Sequence, residues 1–409
     1  MSFQQGLSGL SASSKTLEVI GNNVANANTI GFKQSQAVFS DVYAASLNGS
    51  GSSPIGIGTK LTEVVQQFTQ GNVTASNNPL DIAVNGGGFF RMNSNGTTTF
   101  SRNGQFQLDR SGHIVNADGA RLTGYIANSR GVLSTGAPAD ILIRTTDLPP
   151  QTTGTVTAQL NLDSRQDPPQ TVPFSMDDPT TYNNATSVSV YDSLGNAHVL
   201  QTFYVKTGAG SWDVYAAADE ALLNGGAQIG SLAFGTDGAL TGISQSALPM
   251  IANIAVNTGA MATLAVGIDS SNTSQFGSSF SVNKLVQDGS TSGRLSGFGV
   301  GQDGMIVGRY TNGQSAVLGQ VVLASFANPN GLHPLRGNLW AETAESGNPM
   351  VGAPTSGSLG ALQSNAVEDS NVDLTAELVN MITAQRIYQA NAQTIKTQDQ
   401  VMQTLVNLR

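Results

Sequence analysis

The chain has 409 residues, enough for two to four domains of ordinary size. Only 11% are charged, against roughly 25% in typical soluble domains, and a formal net charge of −9 with no basic run argues against a nucleic-acid partner. Cysteine is absent, which removes disulfides, thiolate metal sites and cysteine nucleophiles. Neutral amides and hydroxyls abound instead, so the surface lacks much of the charge repulsion that keeps proteins apart. Self-association and an ordinary β-rich surface both fit that composition. Residues 1–25 show no basic start, continuous apolar run and small-residue cleavage site, so no cleaved secretory leader is expected.

Phe3, Leu7, Leu10, Ser14, Leu17, Gly21 and Val24 recur at alternating steps of four and three, which predicts a helix with a heptad stripe over residues 1–24. The stretch "NNVANANTIGFK" (22–33) follows, and its asparagines disfavour a helix interior because their amides compete for nearby backbone groups. Residues 25–74 read as a polar connecting segment, relieved only by "KLTEVVQQF" (60–68). Strand signals begin at "NPLDIAVNGGGFF" (78–90) and continue through the turn pairs Asn103-Gly104, Ser111-Gly112 and Asp118-Gly119. "TDLPPQ" (146–151) marks a boundary. Beyond it, Val156, Ala158, Leu160 and Leu162 share one face of a strand, and residues 186–206 read as a hairpin about Asp192–Asn196. The apolar run 251–268 contains Asn253, Asn257, Thr258 and Thr263, a poor membrane span that reads better as strands. After a linker-like stretch near 290, residues 303–326 return to the earlier hairpin style. The economical arrangement is a discontinuous β domain from 75–145 and 294–360, with a second β domain, 146–293, inserted. Finally Leu374, Leu378, Met381, Gln385, Tyr388, Ala392, Ile395, Asp399, Met402 and Val406 predict a long helix, with Ser370, Asn371 and Asp373 as candidate N-caps. The expected fold is therefore mainly β and multidomain with α-helical termini. Residues 1–24 and 370–409 pair as a coiled-coil-like inner domain.

Catalytic chemistry finds no foothold. "GVGQDG" (299–304) has the letters of a dinucleotide loop, but a strand-like run follows it where the phosphate cradle needs a helix. His113, His198 and His333 lie far apart without metal-ligand spacing, and each reads as an ordinary strand or loop residue. The Asp-Gly pairs at 118, 237, 288 and 303 lack a calcium-loop ladder and read as turns. No catalytic, cofactor or metal residue is expected, and the chain does not read as an enzyme.

"LSGLSAS" with "NNVANANTIGFK" at one end, and residues 370–409 at the other, resemble the two termini of the flagellar rod and hook family of axial proteins. "NPLDIAVNGGGFF" and residues 100–125 resemble that family's first β domain, and "YDSLGNAH" (191–198) resembles its hook members in particular. The shorter distal-rod members lack most of the insert. The resemblance implies an extracellular tubular homopolymer at the flagellum, exported unfolded through the type III apparatus, which joins rod to filament and bends. It implies as partners other copies of the chain, rod and hook-filament junction proteins, a hook cap and the export apparatus, with no nucleic acid, no membrane insertion and no cofactor. Residues expected at the contacts between subunits are Phe3, Leu7, Leu10, Leu17, Asn22, Asn23, Val24, Asn26, Asn28, Ile30 and Phe32, with Leu374, Leu378, Met381, Tyr388, Ile395 and Met402. The asparagines are expected to bond to adjacent subunits, and the termini to be disordered until assembly makes them helices. A distal-rod protein, a β-rich surface adhesin and a β-scaffold hydrolase are the alternatives. An adhesin needs a leader or anchor and leaves the matched terminal heptads unexplained, and a hydrolase needs a missing constellation.

Overall fold

A computed structural model describes residues 2–43, 56–128, 131–244 and 250–407. Residues 44–55 of the expected connecting segment, and 408–409 of the expected last helix, lie outside the described residues. The chain divides into two compact units, one from residues 1–144, 297–308 and 316–409, the other from 145–296 with 309–315.

The first unit carries both terminal helices, α1 (Ser2–Ala25) and α2 (Leu374–Asn407). Asp373 caps α2: its Oδ1 accepts from the amides of Thr375 and Ala376 at 2.9 and 3.1 Å. The stretch expected to be an irregular connection instead holds a two-stranded antiparallel ribbon, β1 (Ser35–Tyr43) and β2 (Gly56–Gln66). Its exposed apolar residues, Val38, Leu61 and Val64, do not alternate cleanly with buried ones, so no period announces it. α1 rests on this ribbon, with Gln5 Nε2 donating to Gly56 O at 2.6 Å and the Thr59 amide donating to Ser8 Oγ at 3.3 Å.

The remainder of that unit is built on a 13-stranded sheet. Strand Phe89–Ser94 lies between Thr97–Ser101 and Arg121–Ile126, and also pairs with Leu323–Ser325, which comes from the far side of the insert. Phe89, Phe100, Phe326 and Trp340 pack edge to face in its core, with Phe68 against them. Two short ladders then close the chain on itself: Ala361–Ser364 pairs Ile82–Asn85, and Ala366–Glu368 pairs Val73–Ala75. They deliver the start of α2 beside the segment that leaves α1. The letters "GVGQDG" form a turn in which Gly304 N donates to Gly301 O, between strands Leu295–Val300 and Met305–Tyr310.

The second unit has a five-stranded and a six-stranded sheet sharing one core. Strand Thr155–Asp163 buries Val156, Ala158, Leu160 and Leu162, and the run 251–268 resolves into the antiparallel pair Met250–Ala255 and Thr263–Asp269. Asn184–Tyr191 and Ala197–Gly208 form the hairpin about Asp192–Asn196. Trp212, Tyr204, Leu200 and Val266 are fully enclosed between the sheets.

Candidate assembly interface

α1 breaks where the asparagines gather. Asn26 Nδ2 donates to Asn22 O at 2.9 Å and to Asn22 Oδ1 at 3.0 Å, and the Thr29 amide bonds back to Asn26 O, so amides take over backbone partners as the helix ends. Asn23 does something different. Its side chain is buried and makes a two-way clasp with Ser35, donating to Ser35 O at 2.8 Å and accepting from Ser35 N at 2.9 Å. Within the chain, β1 thus engages both ends of the Asn23 amide, which was expected to bond to a neighbouring subunit. Phe32, also expected at such a contact, is buried within the chain. Gly31 between them has φ 71°, and a Cβ there would stand 2.6 Å from Asn103 N, so only glycine passes this crossing.

The chain then enters a buried charged root. Lys33 Nζ donates to Glu368 Oε1 at 2.7 Å and to Thr69 O at 2.8 Å, and Arg102 Nη1 lies 3.5 Å from Glu368 Oε2. All three side chains are at least nine-tenths enclosed. Burial pushes the Lys33 ammonium below its ordinary pKa, against the opposing pull of Glu368, and burial lowers Arg102 in the same way. Around this root, Asn371 accepts from Gln34 N at 2.7 Å and donates to Gln67 O at 2.8 Å. Glu377, one turn into α2, accepts from Gln34 Nε2 at 2.6 Å and from Asn23 Nδ2 at 3.5 Å. Both helices are thus anchored at one place, where residues 23–35, 67–71 and 368–377 meet. No periodic pattern marks these residues; the asparagine motif that Lys33 closes, and Asn371 among the candidate caps of α2, are the signals in the sequence.

Beyond the root the helices pair, but on α1 not through the expected stripe. Gly6 and Gly9 of α1 face Ile395 and Asn391 of α2; a Cβ on Gly6 would lie 3.1 Å from Ile395, and one on Gly9 would lie 2.9 Å from Asn391. Ser13 and Ile20 are buried along the same line, and Glu377 and Ala384 are buried opposite, with Met381 and Ile395 half-buried. The seam therefore runs one position earlier than the apolar heptad on α1, through small residues that let the backbones approach. Phe3 and Leu7 are 50% and 52% exposed, Leu374 and Leu378 are each 45% exposed, and Tyr388 and Met402 also face outward. Leu10, Leu17, Val24, Asn26 and Ile30 are half-buried, and Asn22 and Asn28 are exposed. A groove of about 400 Å³ opens between α1, β1 and α2, walled by Val19, Ile20, Phe39, Ala384 and Ile387, with Glu377 in its lining. The two terminal helices thus meet largely through small and polar residues, with Ile20, Met381 and Ile395 among them, and keep Phe3, Leu7, Leu374 and Leu378 outside.

His198 is a strand residue, as expected, and is also enclosed between two carboxylates. Its Nδ1 lies 2.6 Å from Asp219 and its Nε2 3.5 Å from Asp192, which also accepts from Thr258 Oγ1 at 2.8 Å. Burial alone would lower the His198 pKa, but the two carboxylates raise it above its ordinary value. This cluster belongs to the second unit's own packing. No helix among the described residues is long and apolar enough to cross a membrane.

Four family descriptions match the chain in order. They are Flagella basal body rod protein over residues 3–33, Flagellar hook protein FlgE/F/G D1 domain over 83–158, Flagellar basal body protein FlaE D2 domain over 161–290, and Flagellar basal body rod FlgEFG protein C-terminal over 363–408. The flagellar hook protein FlgE of Escherichia coli is 42% identical over 413 residues, covering 100% of both chains. That of Borreliella burgdorferi is 32% identical, covering 100% of this chain and 99% of its own. Among solved structures, the Helicobacter pylori flagellar hook protein FlgE2 shares the fold with a TM-score of 0.55 at 14% identity, over 72% of this chain and 100% of that one.

Proposed function

The chain belongs to the flagellar hook protein family, and we propose that it serves as the subunit of the bacterial flagellar hook, a tubular homopolymer that carries torque from rod to filament while bending. One observation carries this reading: paired terminal helices whose large apolar side chains, Phe3, Leu7, Leu374, Leu378 and Met402, point away from their own chain. A face of that kind is costly in a monomer and is covered when copies pack side by side. The chemistry of the chain suits structure rather than catalysis, with its buried charges engaged in joining segments. Export through the flagellar type III apparatus, a cap during growth, and junction proteins at the two ends are the partners this role calls for. Asn22 and Asn28, exposed where α1 ends, are available for contacts between subunits. A distal-rod role is disfavoured because the full-length relatives named above are hook proteins.

The test is complementation. Cells lacking their own hook subunit, given this chain, should regain hooks visible by electron microscopy and motility. Secretion of the chain without any tube would overturn the proposal.

A further inference from the structure

We infer that the groove between α1, β1 and α2 receives Arg386 from α2 of a second copy, paired with Glu377 at the groove's wall; this deepens the hook-subunit reading and rests on it. Glu377 is 3% exposed, and its partners are two side-chain amides, those of Gln34 and Asn23. Among the described residues no cation reaches it. A buried carboxylate normally has a cationic or multiply hydrogen-bonding environment, and each of its oxygens retains a lone pair after the single amide bond it accepts. It also lines an open groove of about 400 Å³ in which Val19, Ile20, Phe39 and Ile387 stand among polar residues such as Gln34, Gln67 and Thr383. The site therefore fits a cation that reaches Glu377 along a stem able to lie against these aliphatic and aromatic side chains, with its head among the amides.

The same helix supplies one. Arg386 is exposed and pairs with no carboxylate among the described residues, and Val379 and Ile382, 58% and 52% exposed, flank it on its side of α2. At about 100° per residue, Arg386 stands on the opposite side of α2 from Glu377 and roughly 13–14 Å along the axis. It cannot turn back onto its own groove. Complementary groups on opposite faces of one element make a head-to-tail contact, the kind that propagates from copy to copy instead of closing a dimer. The guanidinium is suited to the role, since its planar fork binds a carboxylate by two bonds and it gives up water more readily than an ammonium.

The absence of native cysteine allows a direct test. Asn380 and Gln389 are exposed on α2, each three residues beyond Glu377 and Arg386 respectively. In a tube whose subunits point the same way, that common offset is preserved, so Asn380→Cys on one copy meets Gln389→Cys on the next. Within one helix the two lie well beyond the roughly 7 Å Cα separation a disulfide tolerates. Tubes of the full-length double variant, oxidised, should give a ladder of covalent multimers, while either single variant gives none. Arg386→Gln and Glu377→Gln should each raise the concentration needed for assembly at least about tenfold, and the pair together should be no worse than either alone. Gln at 377 still bonds to the neighbouring amides, and unchanged circular dichroism would separate assembly from folding. Normal tubes without a ladder, or additive effects of the two Gln variants, would overturn this contact alone. A wild-type chain that makes no tubes would take the hook-subunit reading down with it.

Discussion

Lys33, Glu368 and Arg102 are the residues on which both terminal helices depend, because the chain passes from helix to β unit on either side of this cluster. Removing one member leaves uncompensated charge in a dry place, a change that typically costs about 3–5 kcal/mol. Glu368→Ala should therefore lower the first unit's stability by about that much, read as a shift in denaturant midpoint with unchanged slope, and Lys33→Met with Glu368→Leu together should cost less than Glu368→Ala alone. If the single variant unfolds within about 1 kcal/mol of wild type, the root is not the anchor described. His198 makes a second, independent prediction. A histidine whose folded pKa is raised stabilises most below its unfolded value near 6.5, and that contribution fades as pH rises through the folded pKa. Hydrogen bonds from Asn196 and Thr258 overcome burial and hold the Asp192 carboxyl well below the usual range, and the His198 bond overcomes burial in lowering Asp219. Both aspartates stay ionised as the imidazole loses its proton. A neutral imidazole donates to only one of two carboxylates, so the second unit should lose stability as pH rises from the unfolded value near 6.5 through the raised folded value. His198→Gln should flatten that dependence, and an unflattened profile would remove His198 as its cause.

At the scale of elements, both helices and the strands of the two β domains were legible from period, but the β1–β2 ribbon and the face each helix presents were not. The strand Thr155–Asp163 announced itself because its partner sheet lies within the same chain, so alternation and burial coincide. In α1 they part: the apolar heptad through Phe3 and Leu7 points outward, and Gly6, Gly9 and Ser13 face α2. Apolar periodicity finds the face that seeks cover without saying which molecule supplies it, and glycines and serines have no period that stands out from loop composition. The charged root was illegible for a related reason, since its members come from sites more than 300 residues apart. Two outcomes follow for the helices. Phe3→Asp or Leu7→Asp should abolish tubes yet leave the monomer's secondary structure intact, whereas Gly9→Leu, driven into Asn391, should displace α2 and change the monomer. In addition, α1 spans roughly 36 Å and α2 roughly 51 Å, and because Gly6 already faces Ile395, α2 runs on beyond α1. Val401 and Val406, 47% and 72% exposed there, sit on a single helix that is marginal in water. Amide exchange in the monomer should be slowest from Glu377 to Ala384 and nearly free past residue 399, with protection of the latter gained on assembly. Strong protection of the overhang in the monomer would count against assembly as its source of order.

For the molecule as a whole, the second unit is the part whose removal tells most. Its two chain ends are tied together by its own backbone: Leu148 bridges Gly293 and Gln151 bridges Ser290, each through a pair of hydrogen bonds of 2.7–3.2 Å. Within it, Trp212, Tyr204, Leu160 and Val266 close a core that borrows nothing from the helices. Ends held this close can be joined by a few residues, since closing a short flexible loop costs little more than the turn it replaces. We therefore expect residues 150–290, expressed alone, to fold cooperatively and stay monomeric in solution, and the chain with that stretch replaced by a short Gly/Ser linker to retain α1, α2 and the charged root. If assembly resides in the helices, the shortened chain should still be secreted and still form axial polymers, with changed curvature or bending stiffness. Cryo-electron microscopy of those polymers and single-tube bending measurements would decide. Loss of all polymer from a shortened chain whose root and ribbon remain folded would move the seat of assembly from the terminal helices to the inserted unit.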